Sequence, residues 1–259
     1  MPDLVIAIAR HGKSQTNQDH SLALEIPNHL IQLIEEGTKQ ALCAGQFIDS
    51  QFPDMKFLIL SSPYERALHT AKIIKGVLGK RVLGIATTNS IREFYSGSEA
   101  GNDKTNAGHI TNVYGITDDD QPIRNNPFYF QKFPNVGHDE SPVDGECGYD
   151  VLNRTKEMQE FLVNFAIDRN PKHLAKLLKR DGEFTLPDAE YIGIILPSHS
   201  VAISALLDNL GLEKFTSMKE RYRAENANPF FIKISASGKV SFMHEINQLV
   251  PKASRFLTG

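Results

Sequence analysis

Three clusters of polar residues each follow directly after a short apolar run of the sequence. Their sequences are RHGKSQTN at 10–17, SSPYER at 61–66 and SHS at 198–200. Open α/β sheets bind ligands outside the carboxyl ends of their strands, so we expect the three clusters to meet at one edge of a sheet. Arginine pairs bidentately with phosphate oxygens, and histidine can donate, accept or attack. Together the clusters predict a phosphate site.

The first cluster also contains Gly12-Lys13-Ser14, which imitates the end of a nucleotide-binding P-loop. The first glycine of the P-loop pattern would fall at position 7, where this sequence has Ala7 inside an apolar run. The sequence also shows no later apolar run that ends in a magnesium-binding aspartate. We therefore disfavour a nucleoside triphosphatase and expect no magnesium requirement.

The apolar runs before the clusters are short and rich in large aliphatic residues, which is typical of buried strands. They span 4–9, 56–60 and 191–196. Weaker strand patterns occur at 81–88, 229–235 and 239–245. The last two are separated by the turn residues 236–238 and predict a hairpin.

Apolar residues recur at helical spacing between these strands. The predicted helices contain Leu30, Ile34, Ala41, Ala44 and Ile48, then Ala67, Ala71, Ile74 and Leu78, then segments at about 149–167 and 201–210. Strands that alternate with helices indicate an α/β protein. We predict a three-layer α/β/α sandwich with a mostly parallel central sheet.

Two long excursions interrupt this alternation. The segment 101–146 is polar and rich in proline, glycine and asparagine, and the segment 168–190 carries a short basic stretch. Long loops in a compact α/β domain are often functional lids, but tolerated surface insertions look the same in sequence. We predict a single domain over 1–259, with a loop-rich, cap-like insertion at about 102–146.

The composition excludes several classes of protein. Hydrophobic residues make up 41% and charged residues 23% of the chain, which argues against disorder and fibrous repeats. A formal net charge of −3 argues against a nucleic-acid binder. The two cysteines, Cys43 and Cys147, have no disulfide or zinc spacing. No signal sequence or membrane span is recognisable, so we expect a cytoplasmic protein without metal, nucleic-acid or membrane partners; the oligomeric state stays open.

Six segments of the chain follow the order of one known family pattern. RHGKSQTN resembles the RHGxSxxN signature of the histidine phosphatase superfamily, also called the phosphoglycerate mutase-like family, and SSPYERALHTA resembles its SSPxxRAxxTA segment. Further segments that resemble the family are EEGTKQA at 35–41, IREFYSGSEAG at 91–101, GECGYDVLNR at 145–154 and PSHS at 197–200.

This resemblance implies an enzyme that forms a phosphohistidine. His11 would attack phosphorus and carry the phosphoryl group, which splits one difficult displacement into two easier ones. Arg10, Arg66 and His199 would surround the phosphate oxygens, with His199 also taking part in catalysis. Asn17 would donate a hydrogen bond to phosphate or fix the loop. The implied substrate is a small-molecule phosphomonoester, and no cofactor is implied.

Glu93 matches the general acid of the family, with Gly97 and Gly101 completing its ExxxGxxxG pattern. By this resemblance it would protonate the leaving group and then deprotonate the attacking water. Phosphatases of the family usually carry glutamate just before the second glycine. This sequence has Ala100 there, with Glu99 one position earlier.

This sequence carries few of the features that are typical of the family's mutases. Mutases place an aromatic residue before the first glycine, where this chain has Ser96, and a pair of arginines further on, where it offers only Arg124. Lys104 does fall where mutases keep a lysine. The balance favours metal-independent phosphomonoester hydrolysis. Phosphoglycerate mutase-type phosphotransfer is the alternative, and a non-catalytic phosphate-binding module is a third interpretation that would leave His11 without a purpose.

Overall fold

A six-stranded mixed sheet forms the centre of the fold in the computed structural model, which describes residues 1–95, 112–114, 122–124, 146, 148–178, 191–214 and 223–249. The strands of these ranges are β1 (Leu4–Arg10), β2 (Lys56–Ser61), β3 (Val82–Thr87), β4 (Asn112–Tyr114), β5 (Pro122–Arg124), β6 (Ile192–Ser198), β7 (Phe230–Ile234) and β8 (Val240–Phe242). The order across the main sheet is β3-β2-β6-β1-β7-β8. Neighbours are parallel from β3 to β1 and antiparallel from β1 to β8.

Helices cover both faces of this sheet, as predicted for a three-layer α/β/α sandwich. The α-helices of the described ranges are α1 (Gln15–Gln18), α2 (Glu35–Gln51), α3 (Glu65–Leu78), α4 (Gly148–Asp168), α5 (Lys172–Leu177), α6 (Ser200–Asn209) and α7 (His244–Leu249). The pair α2 and α3 packs on one face, and the pair α4 and α6 packs on the other. None of the helices within the described ranges combines the length and apolar character needed to cross a membrane.

Successive side chains of the central strands enter two separate cores. In β2, Leu58 and Leu60 pack with α4 and α6, whereas Phe57 and Ile59 pack with α2 and α3. Side chains alternate between the faces of a sheet, and here both faces are covered by helices. The central strands are therefore apolar on both faces except at their ends, which is why they are recognisable in sequence as continuous apolar runs.

The helix predicted from Leu30 onward begins later than its apolar spacing indicates. Leu30 ends a short 3₁₀ turn (Asn28–Leu30), and α2 starts only at Glu35. The backbone between them is bound to the first polar cluster, because the amide of Ile34 donates to the carbonyl of Lys13 at 3.1 Å and Leu33 forms a bridge with Ser14. These tertiary hydrogen bonds hold Leu30 and Ile34 outside the helix.

The strand predicted at 239–245 is also shorter than expected. β8 ends at Phe242, and His244 and Glu245 begin α7. From α7, the Asn247 side chain accepts from the amide of Phe231 at 2.7 Å and donates to its carbonyl at 3.1 Å. The Phe231 carbonyl also accepts from the amide of Met243 at 2.9 Å, so Asn247 completes the pairing of this residue of β7 just beyond the end of β8. The predicted hairpin of β7 and β8 is confirmed.

Most of the predicted cap-like insertion at about 102–146 lies outside the described residues. Within it, β4 and β5 form a two-stranded antiparallel ladder, and Glu146 is described at its end. In the second excursion, α5 is described and residues 179–190 are not. The division into one domain with a cap stays a prediction.

Two glycines allow the first polar cluster to lie directly on the start of α2. A Cβ atom on Gly12 would collide with the carbonyl of Gly37, and a Cβ atom on Gly37 would collide with the backbone of Lys13. The atoms in the way are backbone atoms, which cannot move aside as the end of a side chain can. The approach of the loop to the helix therefore requires glycine at both positions.

We predict that Gly37→Ala destabilises the protein by about 1–3 kcal/mol, the usual cost of forcing an extra carbon into a packed site. The matched control is Gly76→Ala on the exposed side of α3, where a new Cβ meets nothing within 4 Å. Alanine is the better helix former there, so this change should stabilise by about 0.5–1 kcal/mol. Urea unfolding of both variants measures the two effects, and equal effects would contradict the close approach.

Candidate active site

His11 lies immediately after β1, and its ring orientation follows from its hydrogen bonds. Its Nδ1 is 2.7 Å from the carbonyl oxygen of Gly12, which can only accept, so the ring proton is on Nδ1. The Nε2 atom therefore carries the lone pair, and it accepts from Nε of Arg66 at 3.2 Å. Burial and the charges of Arg66 and Arg10 hold the pKa of His11 well below its usual value. The imidazole is accordingly neutral near pH 7.

Arg66 lies in the first turn of α3 and is oriented by a residue that the sequence did not reveal. Its Nη1 donates to the carbonyl of Asn28 at 2.5 Å and its Nη2 donates to the Asn28 side-chain oxygen at 2.9 Å. These bonds direct Nε of Arg66 to His11. The sequence shows no motif that connects Asn28 with the polar clusters, because Asn28 lies in the separate 3₁₀ turn before α2.

His199 follows β6 and faces His11 across the site. The two ring centroids are 5.1 Å apart, and Nε2 of His199 is 2.8 Å from Oγ of Ser62. Burial and the charge of Arg66 hold the pKa of His199 well below its usual value. Among the described residues Nδ1 has no hydrogen-bond partner. The neutral ring of His199 therefore has its Nδ1 atom available to bind a ligand.

Asn17 fixes the first polar cluster through its side-chain oxygen. This atom accepts from the amide of Ser14 at 3.1 Å and from Nδ2 of Asn226 at 3.1 Å. Nδ2 of Asn226 also donates to the carbonyl of His11 at 2.9 Å. These bonds tie the first polar cluster to itself and to the turn at Asn226, a second residue that sequence reasoning missed. Its only signal is its place in a polar turn just before a predicted strand.

Arg10 is the last residue of β1 and is held by the same turn. Its Nη1 donates to the carbonyl of Ala224 at 3.4 Å, and its own carbonyl accepts from the amide of Ala227 at 2.9 Å. Ala227 has a φ of 43°, which is unusual for a residue other than glycine. The strained turn thus lies directly against the backbone of Arg10 and His11.

Glu93 is brought to His199 by the chain that leaves β3. A 3₁₀ turn (Asn89–Ile91) precedes it, and Oγ of Ser198 donates to the carbonyl of Ile91 at 2.7 Å. Oε1 of Glu93 accepts from the amide of Phe94 at 2.9 Å, while Oε2 lies 3.8 Å from Nδ1 of His199. The Glu93 side chain is 19% exposed, so Glu93 lies near His199 and is partly accessible to solvent.

A buried ionic cluster holds the backbone beside Glu93. The Glu146 carboxylate accepts from both Nη atoms of Arg92, at 2.6 and 2.9 Å, from Nε of Arg154 at 2.8 Å, and from the amide of Tyr95 at 2.9 Å. Burial alone would raise the pKa of Glu146, but Arg154 and Arg92 outweigh it and lower the pKa. Glu146 thus binds Arg92 and Tyr95, which precede and follow Glu93 in the sequence. These bonds fix the backbone that carries the Glu93 side chain.

The structure thus brings together all six residues that the sequence analysis singled out. Two neutral imidazoles, two guanidinium groups and one carboxyl group belong to one edge of the sheet, an arrangement suited to an anion that exchanges protons. The residues are Arg10, His11, Asn17, Arg66, Glu93 and His199. Gly97, Glu99, Ala100 and Gly101 lie outside the described residues. In the described ranges, no group of three or more His, Cys, Asp and Glu side chains is arranged to hold a metal ion.

Comparison with known protein families identifies the family of this chain. A family model described as the histidine phosphatase superfamily (branch 1) matches residues 6–170. The chain belongs to this superfamily, as its motifs predicted.

Two relatives from Arabidopsis thaliana match parts of the chain. The phosphoglycerate mutase-like protein AT74 is 27% identical over 177 residues, which cover 65% of this chain and 49% of that protein. The phosphoglycerate mutase-like protein AT74H is 36% identical over 98 residues, which cover 34% of this chain and 35% of that protein. The chain thus spans about half of the first relative's length and about a third of the second's.

Among solved structures, Bacillus stearothermophilus YhfR has a similar fold. The TM-score is 0.58 at 18% sequence identity, and the match covers 93% of this chain and 95% of that one. The chain therefore has the fold of a solved structure along most of its length.

We predict that Glu146→Gln destabilises the protein by about 3–5 kcal/mol, because Arg92 and Arg154 would keep buried charges without a compensating carboxylate. Chemical unfolding measures this loss. The control is Glu35→Gln, which removes an exposed ion pair with Lys39 and should leave the unfolding curve nearly unchanged. If the two variants unfolded alike, the buried cluster would not hold this part of the fold.

Proposed function

We propose that this protein hydrolyses phosphomonoesters through a phosphohistidine on His11. The observation that carries the proposal is the hydrogen bond from Nδ1 of His11 to the Gly12 carbonyl, which leaves the Nε2 lone pair facing Arg66. A nucleophile needs a lone pair that carries no proton, and a buried, neutral imidazole supplies one without first losing a proton. Nε of Arg66 donates to this lone pair in the free protein and would turn to a phosphoryl oxygen before attack.

In the proposed first step, Nε2 of His11 forms a bond to phosphorus while the bond to the leaving oxygen breaks. Arg10, Arg66 and His199 would bind the phosphoryl oxygens, since phosphoryl transfer depends mainly on positioning and on stabilising charge. The leaving oxygen takes a proton from Glu93. This role fits a carboxyl group that is partly exposed and 3.8 Å from His199.

In the proposed second step, water attacks the phosphorus of phospho-His11. Glu93, now a carboxylate, takes the proton from that water, and the bond between phosphorus and Nε2 breaks. Inorganic phosphate leaves, and His11 and Glu93 return to their initial states. The chemistry needs no metal ion, because the cationic side chains neutralise the phosphate charge. We propose a small-molecule phosphomonoester as the substrate and the cytoplasm as the location.

Phosphoglycerate mutase-type transfer is the second candidate, and the names of the two plant relatives favour it. In that reaction the phosphoryl group on His11 would return to a hydroxyl of the substrate rather than to water. The chain has Ser96 where mutases carry an aromatic residue, and it offers only Arg124 where they carry two arginines. Both differences favour hydrolysis. A bisphosphate primer separates the two reactions, since only the mutase would depend on it.

We predict that His11→Ala lowers turnover of p-nitrophenyl phosphate in the presence of EDTA by on the order of 10³-fold or more, because the nucleophile is lost. Brief reaction with a ³²P-labelled phosphomonoester followed by alkaline quenching should trap an acid-labile phosphate on the wild-type protein alone. His173→Ala is the matched control, because this histidine pairs with Asp168 away from the site. Turnover that survived in His11→Ala, or that vanished with EDTA, would refute the proposal.

We predict that Glu93→Gln slows hydrolysis of an alkyl phosphate by roughly 10²–10⁴-fold, because the poor leaving group requires a proton. Hydrolysis of p-nitrophenyl phosphate should fall far less in its phosphorylation step, since nitrophenolate leaves without one. Single-turnover kinetics with both substrates isolates that step. Equal losses for the two leaving groups would remove Glu93 from the acid role.

A further inference from the structure

Ser62 makes a contact with His199 that the proposed mechanism does not use. The residue follows β2 directly and is fully buried, and its amide donates to the carbonyl of Pro197 at 3.0 Å. Its Oγ lies 2.8 Å from Nε2 of His199 and 3.3 Å from the amide nitrogen of Tyr64. This hydroxyl therefore connects the second polar cluster to the third.

The hydrogen-bonding capacity of Ser62 decides the direction of its bond to His199. A hydroxyl has one proton to donate and two lone pairs that accept. The amide of Tyr64 can only donate, so it uses one lone pair of Oγ. Among the described residues, Nε2 of His199 is the one acceptor bonded to this hydroxyl. If Nε2 carried a proton instead, the Ser62 proton would be buried without an acceptor, which is unfavourable.

The other side of the His199 ring favours the same arrangement. Oε2 of Glu93 lies 3.8 Å from Nδ1, and in the free protein, before Glu93 takes up the proton that it gives to the leaving group, its carboxylate stabilises a proton on the nitrogen that faces it. The ring is fully buried and close to Arg66, which keeps it neutral, so it has a single ring proton to place. Ser62 on one side and Glu93 on the other both place that proton on Nδ1.

We propose that Ser62 is a positioning residue that holds His199 in its Nδ1–H tautomer and so directs an N–H donor into the phosphate site. The identity of the acceptor rests on the proposed function, whereas the tautomer itself does not. Nδ1 is buried and has no hydrogen-bond partner among the described residues, so a phosphate oxygen would satisfy it. In the other tautomer, a bare lone pair would face the phosphate dianion and repel it.

The tautomer can be read directly from imidazole ¹⁵N chemical shifts in protein labelled at histidine nitrogens. For wild type we expect a protonated, pyrrole-like Nδ1 and an unprotonated Nε2 at His199, assigned with the His199→Gln variant. In Ser62→Ala the fraction of His199 rings protonated on Nδ1 should fall, because only Glu93, at 3.8 Å, then favours that tautomer. Affinity for inorganic phosphate should fall roughly tenfold, since a hydrogen bond to a charged acceptor is lost.

Two further variants keep this test specific. Ser62→Thr retains the hydroxyl and should restore both the tautomer and the phosphate affinity. Ser61→Ala removes a buried hydroxyl one residue away, which donates to the Ser62 carbonyl at 2.8 Å, and should leave the His199 tautomer unchanged. Circular dichroism and thermal unfolding check that each variant is folded. If Ser62→Ala does not fold, the wild-type spectrum and Ser62→Thr still decide the tautomer.

The outcomes separate this proposal from the proposed function. A wild-type His199 protonated on Nε2, or a Ser62→Ala variant with unchanged tautomer and phosphate affinity, would overturn the role of Ser62. The expected tautomers without phosphate binding or phospho-His11 would support the tautomer assignment and refute the proposed function together with the phosphate acceptor. The expected tautomers together with weaker phosphate binding in Ser62→Ala would support both.

Discussion

The geometry of the site depends on one hydrogen bond, from Nδ1 of His11 to the carbonyl oxygen of the next residue, Gly12. It places the lone pair of the ring on Nε2, where Arg66 can donate to it. A ring with a proton on Nε2 would direct two donors at each other and would repel this guanidinium group. This bond therefore decides which nitrogen of the imidazole faces the guanidinium group, while burial and the charges of Arg66 and Arg10 lower the pKa and keep the ring neutral.

The packing around the loop keeps that carbonyl oxygen in place. Thr70 accepts from the amide of Gly12 at 3.1 Å and donates to the carbonyl of Arg66 at 2.8 Å, so one hydroxyl connects the histidine loop to the start of α3. Gly37 allows α2 to approach from the other side. Nδ2 of Asn226 donates to the carbonyl of His11 and supports the loop at that residue. Three distant parts of the chain thus restrict one short loop.

The sheet and most of its helices were predictable because burial on both faces leaves a strong local signal. The runs before the polar clusters became β1, β2 and β6, with ends displaced by at most two residues. The start of α2 was not predictable, because Leu30 and Ile34 have helical spacing but their segment is bound to Lys13 and Ser14. Apolar spacing reports which side chains are buried, and it does not report tertiary hydrogen bonds.

The same distinction applies to the site. By itself, the sequence determined the family and the residues expected to act, because chemically specific side chains such as His11, Arg66 and His199 stand in short motifs at strand ends. Only the tertiary structure decided how they are oriented: Asn28 holds Arg66, Ser62 contacts His199, and Glu146 anchors the backbone around Glu93. The reason is physical, since these bonds join residues about 40 to 140 positions apart in the chain. Such pairs leave no periodicity or local spacing that a sequence could show.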